Sequence, residues 1–286
     1  MIVLRTVREL RDAVREARGR AERIGLVPTM GALHDGHLSL MRRAGAQCGF
    51  VVVSLFVNPA QFTEAADLAG YPRDEDRDAS LCAAAGVSVL FAPAVDDVYP
   101  GGFATGVEVT GLTAPLEGAM RGPEHFRGVT TVVTKLLNMA QPDDAFFGQK
   151  DAQQTLIIQR LVVDLDLPVR VEVCPTVREP DGLAMSSRNA LLDAEARRRA
   201  VALSQSLFAI ADVVAAGETD AHRALAAGQR ILSQAHITPE YLAAASMDTL
   251  APVETIAGET LVAIAARVGG VRLIDNVIVG GRSASA

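Results

Sequence analysis

Apolar residues arrive in short blocks through the first half of the chain, separated by stretches with one polar face. Ile24–Val27, Phe50–Val57, Val87–Phe91, Ala145–Phe147 and Val169–Cys174 are apolar runs of strand length. His37–Cys48, Glu75–Ala85, Phe126–Met139 and Ala152–Leu165 carry apolar residues at helical spacing. Strands that alternate with helices predict an α/β domain, a parallel sheet with helices on both faces. Ligands of such sheets sit beyond the carboxyl ends of the strands, so the segments that follow each run draw attention.

The pattern changes after about Pro175. Glu195–Ala216 and Asp220–Gln234 predict two Ala-rich helices, and Tyr241–Ser246, Leu261–Ala266 and Val271–Ile278 predict strands. Gly269-Gly270 reads as the turn of a hairpin. The expectation is two domains, residues 1–175 and a smaller α+β unit over 176–286. The loop Pro175–Asn189 joins them, and the small polar tail Gly280–Ala286 is expected to fray.

Composition narrows the function classes. A chain of 286 residues is comfortable for two domains, and its net charge of −7 argues against a general nucleic-acid binder. Cys48, Cys82 and Cys174 are far apart, form no CxxC pair, and read as buried thiols. Charges occur from the first turn onward, with no apolar run long enough for a signal peptide or a membrane span, so the chain is expected in the cytoplasm.

Four segments carry candidate chemistry. Pro28-Thr29-Met30-Gly31-Ala32-Leu33-His34-Asp35-Gly36-His37 follows a strand and opens a helix. Exposed backbone N–H groups and the helix dipole favour an anion there, Gly31 and Gly36 permit close approach, and His34 and His37 can both face one site. A zinc reading lacks a third ligand nearby, and a P-loop would need Lys-Ser/Thr where His37-Leu38 stands. Met185-Ser186-Ser187-Arg188-Asn189 offers two hydroxyls and a guanidinium to phosphate oxygens. In Phe146-Phe147-Gly148-Gln149-Lys150-Asp151, Lys150 supplies a point charge and Asp151 is placed to cap the next helix. Gln61 and Gln154 provide donor and acceptor together, which suits a substrate with hydroxyls beside a carboxylate. In the charged helix start Asp74-Glu75-Asp76-Arg77-Asp78, Asp78 is the candidate to assist a metal.

With these segments in order, the chain resembles the pantothenate synthetases, whose motif run matches PTMGALHDGH, SLFVNPAQF, YPRDEDRD, HFRGVTTVVTKLLN, FFGQKDAQQ and DGLAMSSRN. Leu273-Ile274-Asp275-Asn276 is a late echo. HxGH alone marks only the wider nucleotidyltransferase superfamily. The resemblance implies a Rossmann-like N-terminal domain that binds ATP and pantoate, a C-terminal lid domain, and a homodimer. It implies that ATP, accompanied by Mg²⁺, activates pantoate as an acyl-adenylate that β-alanine then attacks. Met30 to His37, Gly148 to Asp151, Val177 and Met185 to Arg188 would line the ATP site. His37 would be the catalytic histidine, Gln61 would touch both pantoate and β-alanine, and Gln154 would hold pantoate. His34 and His37 are assigned to the α-phosphate, and Lys150, Ser186, Ser187 and Arg188 to the phosphates and leaving group. Some positions depart from the family pattern: Gln149 replaces a usual Glu, Ala152 a usual aromatic residue, and Ala60 and Val98 residues that are often Met, while the stretch from Glu117 to His125 is one residue longer than usual. The rival readings are another HxGH nucleotidyltransferase and a catalytically silent nucleotide-binding protein.

Overall fold

The computed structural model describes residues 1–63 and 65–280. Two compact units divide the chain: residues 1–148 with 153–175, and residues 149–152 with 176–286.

In the first unit the elements run β1 (Ile2–Leu4), α1 (Val7–Gly19), β2 (Ile24–Thr29), α2 (Asp35–Gln47), β3 (Phe50–Leu55), α3 (Ala65–Gly70), α4 (Glu75–Ala84), β4 (Val89–Phe91), α5 (Val95–Val98), α6 (Glu117–Arg121), α7 (Pro123–Ala140), β5 (Asp144–Gly148), α8 (Ala152–Asp164) and β6 (Arg170–Cys174). The six strands form one parallel sheet in the order β1-β4-β3-β2-β5-β6. The predicted parallel α/β architecture is therefore present. The pattern did not announce β1 or α1. Helix α1 is set by a capping box, in which Thr6 accepts the Glu9 N–H at 3.3 Å and Glu9 takes the Thr6 N–H at 2.9 Å. Leu10, Val14 and Ala17, at helical spacing, bury its inner face.

Strands β2 and β3 are apolar nearly throughout because both faces are covered. On one side Val27, Val51 and Val53 pack against Leu40, Met41 and Ala44 of α2 and Cys82 of α4. On the other, α1 and α7 pack against each other and against β2. The strand expected to start at Val87 starts at Val89: the Val87 N–H still bonds the Cys82 carbonyl and closes α4, and Ser88 is the first residue to bond the neighbouring strands. At β5 the strand starts one residue earlier than the apolar run. Asp144 is fully buried there and ion-paired with Arg23 at 2.6 Å and Arg170 at 2.7 Å. Strand order reverses between β2 and β5, which are direct neighbours. The carboxyl ends of these two strands, at Thr29 and Gly148, form the switch point of the sheet, where doubly wound folds bind ligands.

The second unit contains α9 (Ala194–Ala215), α10 (Ala221–Gln234) and an antiparallel sheet of β7 (Pro239–Ser246), β8 (Thr260–Val268) and β9 (Val271–Val279). Asp193 and Asp220 cap the two helices by accepting the N–H groups of Ala196 and Arg223. The helices approach closely through small residues: a Cβ on Gly228 would lie 2.8 Å from the Ser206 carbonyl. Gly269 and Gly270 both have positive φ, as a two-residue hairpin turn joining β8 to β9 requires. The tail beyond Gly280 lies outside the described residues.

Candidate active site

Beyond β2 the chain turns sharply. Gly31 has φ +87°, and a Cβ there would meet Leu55 Cδ1 at 2.9 Å and Asp78 Oδ2 at 3.0 Å, so only glycine fits. Ala32 follows with φ +51°. Asp78, buried at 1% exposure, holds this turn from behind: its two carboxylate oxygens accept the N–H groups of Ala32 and Leu33, each at 2.9 Å. Asp78 is the residue expected to assist a metal; in this structure both of its oxygens accept loop N–H groups.

His34 is the N-cap of α2. Its Nδ1 accepts the Gly36 N–H at 3.2 Å, and His37 Nδ1 accepts the His34 N–H at 3.3 Å. The two rings lie against each other with centroids 4.1 Å apart. With Nδ1 accepting on both, the hydrogen-bond pattern assigns the proton of each neutral ring to Nε2. The pair thus presents two Nε2–H donors at a helix N-terminus.

This arrangement changes the physical picture of the motif. The N–H groups of Gly31, Ala32, Leu33, His34, Gly36, His37 and Leu38 are all bonded within the protein, to Thr29, Asp78, the two imidazoles or the His34 carbonyl. The loop is not an amide cradle of the kind its glycines suggest. An anion placed at this turn would meet the two imidazoles and the helix dipole.

Gln61 sits beside this turn. Its Nε2 lies 3.1 Å from Met30 Sδ, and its Oε1 accepts from Asn58 Nδ2 at 3.0 Å. Asn58, 1% exposed, also donates to the Gly128 carbonyl at 3.1 Å and accepts from the Tyr99 hydroxyl at 2.8 Å. His125 Nδ1 lies 2.8 Å from the Gln61 carbonyl. Gly128 allows α7 to touch this segment, since a Cβ there would lie 2.2 Å from the Ala60 carbonyl oxygen. Asn58, Gly128 and His125 were not singled out from sequence, although all three lie inside motif runs quoted for the resemblance. The neighbouring amides of α8 differ in role. Gln153 is buried and bonds Glu117 N–H and the carbonyls of Leu112 and Pro115. Gln154 is half-buried, and its side chain makes no hydrogen bond among the described residues.

In the second unit Lys150, Ser186 and Arg188 line one pocket together with Arg272 and Asp275. Ser186 Oγ accepts the Arg188 N–H at 3.3 Å and shapes the turn that carries Ser187 and Arg188. Met185 N–H bonds the Val177 carbonyl at 3.0 Å, so these two predicted residues are adjacent across a short antiparallel bridge. Asp151, expected as a helix cap, lies 3.8 Å from Lys150 Nζ. Gln149 donates to Asn276 Oδ1 at 3.3 Å. The three cysteines are buried; burial and the Asp78 charge push the Cys82 thiol up to about 12, and burial with Asp144 pushes Cys48 up to about 11. None is a poised nucleophile.

Comparison with known proteins gives the chain's family. The model of the family described as pantoate–β-alanine ligase matches residues 2–278. The chain is 51% identical to a pantothenate synthetase of Cereibacter sphaeroides over 96% of its own length and 98% of that protein. It is 52% identical to one from Moorella thermoacetica over 97% of this chain and 98% of the relative. Among solved structures, a pantothenate synthetase from Thermus thermophilus superposes with a TM-score of 0.91 at 46% identity, covering 97% and 99% of the two chains. A Francisella tularensis pantoate–β-alanine ligase, solved as a complex with β,γ ATP and β-alanine, gives a TM-score of 0.79 at 33% identity, with 97% of each chain covered. The chain belongs to the pantoate–β-alanine ligase family.

Proposed function

We propose that the chain condenses pantoate with β-alanine to pantothenate, using ATP and releasing AMP and pyrophosphate. The observation that carries the reading is the pair of adjoining imidazoles capping α2 beyond β2. In the first step the pantoate carboxylate attacks the α-phosphorus of ATP, and pyrophosphate leaves. In the second the amine of β-alanine attacks the acyl carbon of the adenylate. AMP leaves, and the amine's proton passes to water or a phosphate oxygen. No protein nucleophile is needed, so the chain's work is positioning and charge stabilisation.

Each predicted residue has a role in this reading. The Nε2–H groups of His34 and His37 meet the charge that grows on the α-phosphate. Lys150 and Arg188, with the Ser186 and Ser187 hydroxyls, hold the phosphates and the leaving pyrophosphate. Met30 to Leu33, with Asp35 and Gly36, Gly148 to Asp151, Val177 and Met185 complete the nucleotide site. Gln61 addresses pantoate and then β-alanine, and Gln154 addresses pantoate. Residues 1–175 act as the ATP- and pantoate-binding domain and 176–286 as a lid that shields the adenylate from water.

Magnesium enters with ATP. The described residues hold no cluster of three or more His, Cys, Asp or Glu side chains suited to a metal, and Asp78 serves the loop. The ion's ligands are therefore chiefly the nucleotide's phosphate oxygens and water, a habit of Mg²⁺, and no step is assigned to a protein-held metal. A homodimer is in keeping with the open outer edge of β1, which exposes Met1, Ile2 and Val3. Use of ATP and three buried free thiols suit the cytoplasm.

The test is a coupled assay. AMP should form only with pantoate and β-alanine both present, and pyrophosphate should appear on mixing enzyme, ATP and pantoate alone. Pyrophosphate release that strictly required β-alanine would refute the two-step order. Retention of the nucleotide in the product would instead favour a nucleotidyltransferase.

A further inference from the structure

Strand β9 carries an arrangement that neither strand pairing nor core packing calls for. Asp275 and Asn276 are adjacent, so their side chains leave opposite faces of the strand, yet both are 3% exposed. Asp275 falls in the alternating set Leu273, Asp275, Val277 and Val279, where an apolar residue would be cheaper to bury. The structure shows what the two polar groups do instead.

Asn276 Nδ2 donates to two main-chain carbonyls in succession, Gln149 at 2.8 Å and Lys150 at 2.9 Å. Its Oδ1 accepts from Gln149 Nε2 at 3.3 Å. Its own N–H donates to Asp275 Oδ1 at 2.8 Å. Asp275 in turn takes both arms of the Arg178 guanidinium, at 2.6 and 3.0 Å. Burial pushes the Asp275 carboxyl up, and the two bonds from Arg178 oppose it. Arg178 also donates to the Gly182 carbonyl at 3.2 Å, and its guanidinium lies 4.9 Å from the Phe208 ring centre. One polar network therefore binds the main chain of 149–150 at one end and the 178–182 turn leading to Ser186 and Arg188 at the other.

We infer that Asn276, supported by the Asp275–Arg178 pair, is a positioning residue that sets where Lys150 stands relative to Arg188. The inference rests on the proposed role of Lys150 at the phosphates. Lys150 is a point charge on a flexible stem, so its placement depends on its main chain being held. Both carbonyls that flank its peptide unit are gripped by one side-chain amide. Asn276 touches no substrate in this account and acts through Lys150.

The test is a double-mutant cycle on the full chain, read by pyrophosphate release from ATP and pantoate. Asn276→Ala should lower kcat by about 10- to 100-fold, the scale of a misplaced catalytic group. Added to Lys150→Ala, it should cost less than about 3-fold more, because two residues acting through one cation are not additive. A structural role alone would make the two losses multiply, and that result overturns the inference. So does Asn276→Ala within about 2-fold of wild type while Lys150→Ala is impaired. A near-wild-type Lys150→Ala removes the role of Lys150 itself, and the inference with it. Should Asn276→Ala be unfolded at the assay temperature, Gln149→Leu removes the bond to Asn276 Oδ1, and amide exchange reads its effect on the main chain separately from any contact of Gln149 with nucleotide. Faster amide exchange over residues 149–152 with a smaller loss of kcat is then expected, and no change in either overturns the inference.

Discussion

The assignment of His37 can be tested by separating its two ring nitrogens. Nδ1 accepts the His34 N–H at 3.3 Å and completes the cap of α2, while Nε2 carries the donor proposed for the α-phosphate. Asparagine places an oxygen near the reach of Nδ1, and glutamine places an amide near the reach of Nε2. His37→Asn should therefore keep the cap and lose the donor. A hydrogen bond of 3.3 Å is at the weak end of the range, so even complete loss of this cap, as in His37→Ala, should cost only about 0.5–1 kcal/mol of stability. Loss of one donor to a developing charge costs about 2.7–4 kcal/mol, or 10²–10³ in kcat. The activity effect should thus far exceed the stability effect. His37→Gln should regain about tenfold over His37→Asn, a fraction of that range. The assay is single-turnover pyrophosphate release with ATP and pantoate, alongside thermal melts of each variant. If His37→Asn kept a near-wild-type rate, or if the rates of the two variants followed their melting temperatures, the role given to Nε2 would be wrong.

Two further outcomes follow from the same geometry. Asp78→Ala strips two acceptors from buried loop N–H groups, so stability should fall by about 2–5 kcal/mol and kcat should fall with it. The Mg²⁺ concentration for half-maximal rate should stay the same, and a large rise in it would show Asp78 to be a metal ligand. Asp144 governs acid stability. Burial alone would raise its carboxyl, but hydrogen bonds from Arg23, Arg170 and Cys48 outweigh that and hold it below the usual range. A depressed folded value means stabilisation that is present above the unfolded value of about 3.9 and lost as pH falls through the folded one. Melting temperature should drop steeply below about pH 4 in wild type, and Asp144→Asn should flatten that limb. The cost of Asp144→Asn at neutral pH should be about 1–2 kcal/mol, because both guanidinium partners are more than half exposed. An unchanged acid limb in the variant would show that other carboxylates control it.

The sheet was legible in the sequence because strands buried on both faces must be largely apolar, and the central runs of β2, β3 and β5 are. The exceptions are informative. The short β1 has too few residues to show a period, and Asp144 belongs to β5 only because two arginines distant in sequence reach it. The hairpin of β8 and β9 was legible because adjacent glycines with positive φ are a local requirement.

For the site, sequence alone determined which residue types are available: two histidines three apart after a strand, a lysine after another, and a serine-arginine turn. It could not determine how the loop amides are satisfied. Glycines and a helix start are compatible with an open anion cradle, yet Asp78, 45 and 46 positions away along the chain, takes two of those N–H groups, and the imidazoles take two more. Asn58 behind Gln61, and Asn276 behind Lys150, were hidden for the same reason. Local pattern records what a residue is and which way its segment folds. The partner of a buried polar group is chosen by tertiary packing, since such a group must find its hydrogen bond wherever the fold brings one within reach.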